Sequence, residues 1–454
     1  MDGRSGRRRG FLPRVLPRLL PTVLLFVVVL CTLPAVALGD RLGGTAKLLI
    51  FARSPVLVRA GEAVHIPVDV VCSTAHGTVC PSAVALRIGS NVAGWRSVRA
   101  PGFPGLSFDV TAPTRSALVR PAGGGAVSFR IIAAGAGLSA SLPAPGEGSA
   151  LRYYVTDAMP AIAVPPVPFG DLVSGSMALY LPWGSGPGRA GLAPGVQSAT
   201  VGPSSFDVDA AGRILLADEL QNRVALFDRG ALVRQTSVAL QSRTDVAFTE
   251  GGGAEVASSS MPGRPRSTVT SLDPAGRPSA ATPVGAGGDE VSELRTAGSL
   301  GWIHLLPLDA WLPAAAGTAP QSSGMPLPGG GQLLSVVDGN AVRFGTVEGG
   351  LVTDAVELQF GDNVGELALA EPDGSGGYLA VVHVWRETPT PADQYQVVHV
   401  RADHSVNTFA VANRSYAESL PLSKFRLGGD GELYALQSYS DGIRVVRYDL
   451  GGVR

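Results

Sequence analysis

The sequence predicts an all-β chain, a β-sandwich followed by a β-propeller for which six blades fit best and five remain an alternative. Three observations carry this. Among 454 residues, Gly 59 and Pro 35 are high for a helical protein, while a hydrophobic content of 45% supplies ample core. Short runs of β-branched, aromatic and other apolar residues recur along the chain between Gly, Pro, Asn and Asp. One strand-to-turn step also recurs at intervals in the C-terminal part. Charged residues amount to 16% and the formal net charge is −1, which excludes a disordered charged chain and argues against a nucleic-acid binder. No Gly-X-Y period occurs, which excludes collagen.

The chain opens with a basic segment. Met1 to Arg18 carries Arg4, Arg7, Arg8, Arg9, Arg14 and Arg18 against a single Asp2. An uncharged stretch from Leu19 to Gly39 follows, densest at Val23 to Leu33, and Ala35-Val36-Ala37 lies near its end. Basic, apolar, then small-x-small is the order of a secretory signal peptide spanning residues 1–37. A retained single-pass anchor is the alternative, since about 20 apolar residues span a bilayer. Pro21, Pro34 and the small-residue exit favour cleavage. Loss of residues 1–37 lowers the formal charge from −1 to −6, which suits a soluble exported protein. The expected location is secreted or cell envelope, with membrane contact only through an uncleaved N-terminal segment. Lys stands only at 47 and 424 while Arg is abundant, a bias that fits a GC-rich bacterial genome.

Residues 45–160 hold short β-type runs: Lys47–Phe51, Val64–Val71, Val84–Ile88, Leu106–Val110, Val127–Ile132 and Leu151–Val155. Val64-His65-Ile66-Pro67-Val68-Asp69-Val70 alternates as a half-buried strand does. Turn residues separate the runs, as at Ala60-Gly61-Glu62 and Gly123-Gly124-Gly125. Strands this short and this closely spaced predict an antiparallel sandwich. The pattern resembles an immunoglobulin-like or fibronectin-like module in architecture, which implies a spacer or adhesive role. Cys72 and Cys80 flank a polar, Gly-containing tip, and in an oxidising compartment they are expected to pair. A metal reading needs more ligands than two Cys and His76. Pro160 to Pro168 is Pro-rich, so residues 160–170 read as a stiff extended linker.

Residues 171–454 carry the repeat. In Pro203 to Asp228, Phe206–Val208 is a first strand and Asp209-Ala210-Ala211-Gly212 a turn whose Gly takes positive φ. Ile214–Ala217 is a second strand, Glu219–Asn222 a turn and Arg223–Phe227 a third strand. Asp228-Arg229-Gly230 then turns into Leu232–Val238, so four antiparallel strands make one propeller blade. The segment resembles an NHL repeat: Pro203, Asp209, Gly212, Asp218, Arg223, Phe227 and Asp228 match that family's pattern. Gln221 stands where Asn is usual, with Asn222 beside it. The resemblance implies a propeller in which Asp209, Gly212, Asp218, Asn222, Arg223 and Asp228 are structural residues of the repeat.

The third-strand step returns at Thr268–Asp273, Val397–Asp403 and Arg444–Asp449, and more weakly at Ala341–Gly345. The largest gap holds Trp302 and Trp311, where a further blade is disguised or a loop is long. Such repeats run ~40–50 residues, so this part holds about six. The last copy ends close to the C-terminus, and Met177–Trp183 is the candidate for its missing outer strand.

Chemistry is sparse. Gly186-Pro187-Gly188-Arg189-Ala190-Gly191 fits a dinucleotide pattern, but a strand and not a helix follows, so no cofactor is assigned. No G-x-S-x-G, H-E-x-x-H or P-loop occurs, and no catalytic or metal residue is assigned. His304 and His383 lie in apolar second strands, and His399 and His404 straddle a hairpin. The preferred reading is an exported, non-enzymatic binding or scaffold protein that recognises a protein, peptide or glycan through loops on a rigid ring. The alternatives are a propeller lyase or hydrolase with a channel-mouth site assembled from distant blades, and a structural envelope protein.

Overall fold

The computed structural model describes residues 47–52, 56–62, 64–73, 83–88, 91–92, 106–112, 125–135 and 138–142, and 151–450 without 196–199, 242, 260–265, 286–289, 299, 307–309, 315–321 and 418–421. The leader, residues 1–37, and Cys80 lie outside the described residues, and with them the expected signal peptide and the Cys72–Cys80 pairing.

The first nine strands are β1 (Lys47–Ala52), β2 (Leu57–Arg59), β3 (Val64–Ser73), β4 (Ala83–Ile88), β5 (Asn91–Val92), β6 (Leu106–Ala112), β7 (Gly125–Gly135), β8 (Leu138–Leu142) and β9 (Leu151–Thr156). They form two sheets, β1-β3-β6 and β2-β9-β7-β4-β5, with β8 also on β7. The period of two decides which side chains face the core. Val64, Ile66, Val68 and Val70 of β3 meet Val127, Phe129, Ile131 and Ala133 of β7 in one buried cluster.

Two strands follow in the connecting stretch, β10 (Ala161–Ala163) and β11 (Ser176–Pro182). The remainder builds six sheets in succession. The first holds β12 (Ser205–Val208), β13 (Ile214–Asp218), β14 (Arg223–Asp228) and β15 (Ala231–Ser237), and the second β16 (Thr244–Phe248), β17 (Ala254–Ser258), β18 (Ser267–Leu272) and β19 (Thr282–Val284). The third is β20 (Glu290–Ala297), β21 (Leu300–Leu306) and β22 (Ala310–Pro313). The fourth holds β23 (Met325–Pro326), β24 (Gln332–Asp338), β25 (Ala341–Glu348) and β26 (Leu351–Gln359), with β10 added parallel to β26. The fifth holds β27 (Asn363–Pro372), β28 (Tyr378–Arg386), β29 (Ala392–Val400) and β30 (Val406–Val411). The sixth holds β31 (Phe425–Leu427), β32 (Leu433–Tyr439) and β33 (Gly442–Tyr448), completed by β11 antiparallel to β33. Among the described residues no helix is long and apolar enough to cross a membrane.

Each of these sheets buries its faces against its neighbours in cyclic order. Leu215 and Leu226 of the first meet Val246 and Val256 of the second. Ala257 and Val269 meet Leu294 and Ile303 of the third. Trp311 of the third meets Met325 and Leu333 of the fourth, and Phe344 and Val356 meet Tyr378 and Val382 of the fifth. Val381 and Val397 meet Phe425 and Ala435 of the sixth, and Leu436 and Val445 of the sixth return to Phe206 and Leu216 of the first. Sheets with two buried faces need middle strands buried along their length, and every residue of β13 is buried, its one charged residue, Asp218, paired with Arg223.

Residues 160–182 run along the outer edges of three sheets. After β10, Gln396 Nε2 donates to Pro165 O (2.9 Å) and Gln394 Nε2 to Val167 O (3.1 Å). Val173 N–H then donates to Ala410 O (2.8 Å), and β11 lies along β33 from Ser176↔Arg447 to Pro182↔Gly442. The N-terminal sheets dock on the fourth of the six: Leu57, Tyr154 and Met159 pack on Leu334, Val347 and Ala355. Beside them Arg343 donates to both carboxylate oxygens of Glu62 and, at 2.8 Å, to Glu357.

Candidate functional site

The residues that carry the repeat pattern form a clamp. Asp218 closes β13, and the 3-10 turn Glu219–Gln221 delivers Gln221 and Arg223 to the same side. Asp218 Oδ2 accepts from Arg223 Nη2 (3.1 Å), Gln221 Nε2 (2.9 Å) and Gly191 N–H (3.1 Å). Arg223 also donates to Gly186 O (2.9 Å), to Gln235 Oε1 (2.8 Å) and to Arg189 O. Gln221 donates to Gly184 O (3.0 Å) and accepts from Gly186 N–H (3.0 Å). The object held is therefore the Gly-rich loop 184–191, whose backbone groups are taken up internally. Burial pushes the Asp218 carboxyl up, against the pull of the Gly191 N–H and Arg223. A Cβ at Gly191 would stand 2.7 Å from Asp218 Oδ1, so this close approach requires glycine.

The other repeat residues are turn formers. Asp209 accepts from Ala211 N–H (3.0 Å) and Arg213 N–H (2.9 Å), and Gly212 takes φ +73. Asn222 sits in the left-handed region at φ 49, as does Arg229 beside Asp228 at φ 48. Gln221, not Asn222, makes the side-chain bonds to the loop.

A second cluster gathers charge on the first strands of five sheets: Asp207 (β12), Asp245 (β16), Glu293 and Arg295 (β20), Glu371 (β27) and Arg426 (β31). Asp245 accepts from Arg426 Nη2 (2.7 Å), Ser423 Oγ (2.9 Å), Leu294 N–H (2.6 Å) and Ser205 Oγ. Arg295 lies between Glu293 (2.6 Å) and Glu371 (2.9 Å). Burial pushes Asp207 and Glu371 up to about 7, opposed in both by the Arg295 charge and in Asp207 also by the Phe248 N–H. These groups bond chiefly to one another and to neighbouring backbone, which makes the cluster a pin between sheets. Residues separated by tens of positions carry no spacing motif, so the sequence did not point to it.

Four of the six histidines, 304, 383, 399 and 404, are each tied locally. His383 meets Asp393 (3.2 Å), His399 meets Asp373 (2.9 Å), His404 meets Asp354 (3.3 Å), and His304 lies against Ser292 and Trp311. His304 and His383 stand on second strands of their sheets. Among the described residues no group of three or more His, Cys, Asp or Glu is arranged to hold a metal ion.

The third feature is a cavity of about 20 Å³ where the sixth sheet meets the first, lined by Trp183, Pro203, Arg414, Ser415, Lys424 and Ser438 among others. Lys424 donates to Asn413 Oδ1, Ser415 Oγ (3.0 Å) and Tyr395 Oη (3.4 Å), and lies 4.6 Å from the Tyr395 ring centre. Burial lowers its ammonium to about 8, against the charges of Glu366 and Asp393. Beside the cavity Trp183 Nε1 donates to Tyr439 O (2.8 Å). Arg444 stacks between Tyr439 (4.1 Å) and Tyr180 (5.0 Å) and is held by Asp441 (2.8 Å). Tyr180 and Tyr416 are exposed. Tyr180, Arg444 and Tyr439 stand on one face of the sixth sheet, whereas Leu436, Ser438 and Ile443, which line the cavity, stand on the other, so the aromatic–guanidinium stack and the cavity are separate features.

No family model matches the chain, and no curated protein matches it. A protein of unknown function from Bacteroides caccae aligns over 51% of this chain and 96% of its own at 13% identity, with a TM-score of 0.31. The AfRom2 CNH domain aligns over 62% of this chain and 97% of its own at 9% identity, with a TM-score of 0.30.

Proposed function

We propose that this chain is an exported, non-enzymatic binding or scaffold protein. In this reading its six sheets are the blades of an NHL-like propeller, and an immunoglobulin-like module is fixed to the fourth blade. The observation that carries the reading is the partly exposed aromatic face on which Tyr180 and Tyr439 stack on Arg444, set on the sixth of six sheets that pack in cyclic order. A rigid ring holds such a face in place and lets it bind without reordering its own backbone. The N-terminal basic–apolar–small segment supports export.

The test expresses the chain with its own N-terminal segment, fractionates the cells and sequences the recovered N-terminus. The recovered protein is then presented to immobilised envelope glycans and envelope proteins. Recovery outside the cytoplasm with saturable binding to one of these is expected. Retention in the cytoplasm and binding to neither would sink the reading.

A further inference from the structure

We propose that the charged cluster on the first strands is a pH-sensitive joint: it closes the third sheet onto the fifth in mildly acidic solution and lets β20 and β27 part as the solution turns alkaline. This goes beyond the binding-protein reading and does not depend on it.

Charge balance comes first. Four carboxyls, Asp207, Asp245, Glu293 and Glu371, share two guanidinium groups, Arg295 and Arg426. Arg426 is committed to Asp245 at 2.7 Å and lies farther from Asp207, at 3.9 Å. Asp245 also accepts from Ser423 Oγ (2.9 Å) and from the N–H groups of Val246 (2.9 Å) and Leu294 (2.6 Å), so it is well supplied with donors. Arg295 is left to serve the other three acids. It pairs with Glu293 (2.6 Å) and Glu371 (2.9 Å), and its charge also acts on Asp207. His304 stands opposite Glu293 in register but is bonded to Ser292.

Burial makes the imbalance costly. The side chains of Asp207 and Glu371 are each 17% exposed, and that of Arg295 is 11% exposed. With all four acids ionised, two negative charges stand uncompensated and largely out of water. Burial accordingly pushes Asp207 and Glu371 up to about 7, helped by the charge of Asp245 on the first and by those of Glu293 and Asp207 on the second. With Asp207 and Glu371 protonated, Asp245 and Glu293 balance Arg426 and Arg295, and the cluster is neutral.

Position decides which joint responds. Apolar clusters join the first sheet to the second, the second to the third, the fifth to the sixth and the sixth to the first. The first strand of the third sheet reaches that of the fifth through the Arg295–Glu371 pair. The outer strand of the third sheet is held separately, by Trp311 against Met325 and Leu333, so β20 and β27 can part while β22 stays in place. Parting them lets water reach Glu371 and Asp207, which then regain their ordinary acidity and release protons. An opening that releases protons becomes more populated as pH rises, here between about 4.5 and 7.

The experiment is hydrogen exchange of the full chain, read by mass spectrometry at pH 5.5 and pH 8 and divided by the intrinsic rate at each pH. β20 and β27 are expected to be at least about tenfold less protected at pH 8 than at pH 5.5. At pH 8 they are also expected to be at least about tenfold less protected than the middle strands β14 and β32. Their protection at pH 8 is expected to hold in low urea, the mark of a local opening that exposes little surface. Glu371→Gln and Asp207→Asn each remove one titrating group, and each is expected to reduce the pH effect at least about threefold. If neither variant folds, the comparison of strands in the parent chain decides. Protection of β20 and β27 equal to that of β14 and β32 at pH 8 would overturn the proposal, since the ring would then open only as a whole. Equal protection of β20 and β27 at the two pH values would overturn it too, as would an undiminished pH effect in a folded variant.

Discussion

Arg223 shows how much one turn residue does in this molecule. It is buried to 3% exposure and satisfies an acid, an amide and two loop carbonyls at once. Removing one partner of such a pair leaves a buried charge, so Asp218→Ala is expected to cost about 3–5 kcal/mol in urea unfolding. Asp228→Ala is the contrast: its side chain is 48% exposed, and a change within about 0.5 kcal/mol is expected. Gly191→Ala forces a Cβ against Asp218 Oδ1 and Leu220 Cβ, and a loss of about 1–3 kcal/mol is expected from the same measurement. Asp218 and Arg223 stand five positions apart in the repeat pattern, close enough in sequence for the two to be singled out together. What the network holds was not legible: loop 184–191 lies some thirty positions upstream, and its Gly-rich pattern fits several chemistries equally well.

Strands that pair locally leave a signal, and strands that pair at a distance do not. The runs expected at Val64–Val71, Val127–Ile132 and Leu151–Val155 fall on β3, β7 and β9. In the third sheet β22 has only four residues and ends at Pro313, so the strand-to-turn step seen elsewhere is missing and the sheet was hidden. β10 has three residues and pairs with a strand almost two hundred positions away, which no local pattern reports. β11 overlaps Met177–Trp183, the run expected to supply the outer strand of the last repeat copy, and it pairs with β33. Met177 and Tyr180 of β11 face solvent while Leu179 and Leu181 are buried, as an edge strand requires. Deleting residues 171–184 bares the edge of β33 and removes Leu179 and Leu181 from the core cluster they share with Phe206. A lower melting temperature with concentration-dependent association is expected by calorimetry and light scattering. An unchanged melting temperature would show that β11 is not needed to complete the sixth sheet.

At the scale of the whole molecule, the buried carboxyls set how stability follows pH. Burial raises Asp207, Glu219 and Glu371 to about 7, well above the usual carboxylate range. An acid whose pKa is higher folded than unfolded binds more protons in the folded state, so stability falls as pH rises between those two values. Between about pH 4.5 and 7 all three therefore favour the folded chain less as pH rises. Asp373 works in the opposite sense. Burial alone would raise it, but bonds from His399, Ser375 and the backbone outweigh burial and hold it at about 2. Its contribution is complete above about pH 4 and is lost only as pH falls toward 2. The two trends leave a maximum on the mildly acidic side of neutrality. The melting temperature is expected to be higher at pH 5.5 than at pH 8, by calorimetry at constant ionic strength. Asp207→Asn removes one titrating group from the pin between sheets, and its amide still accepts from Phe248 N–H through the carbonyl oxygen. The difference between pH 5.5 and pH 8 is therefore expected to shrink in this variant. A difference as large as in the parent chain would place the titration elsewhere than at the first strands.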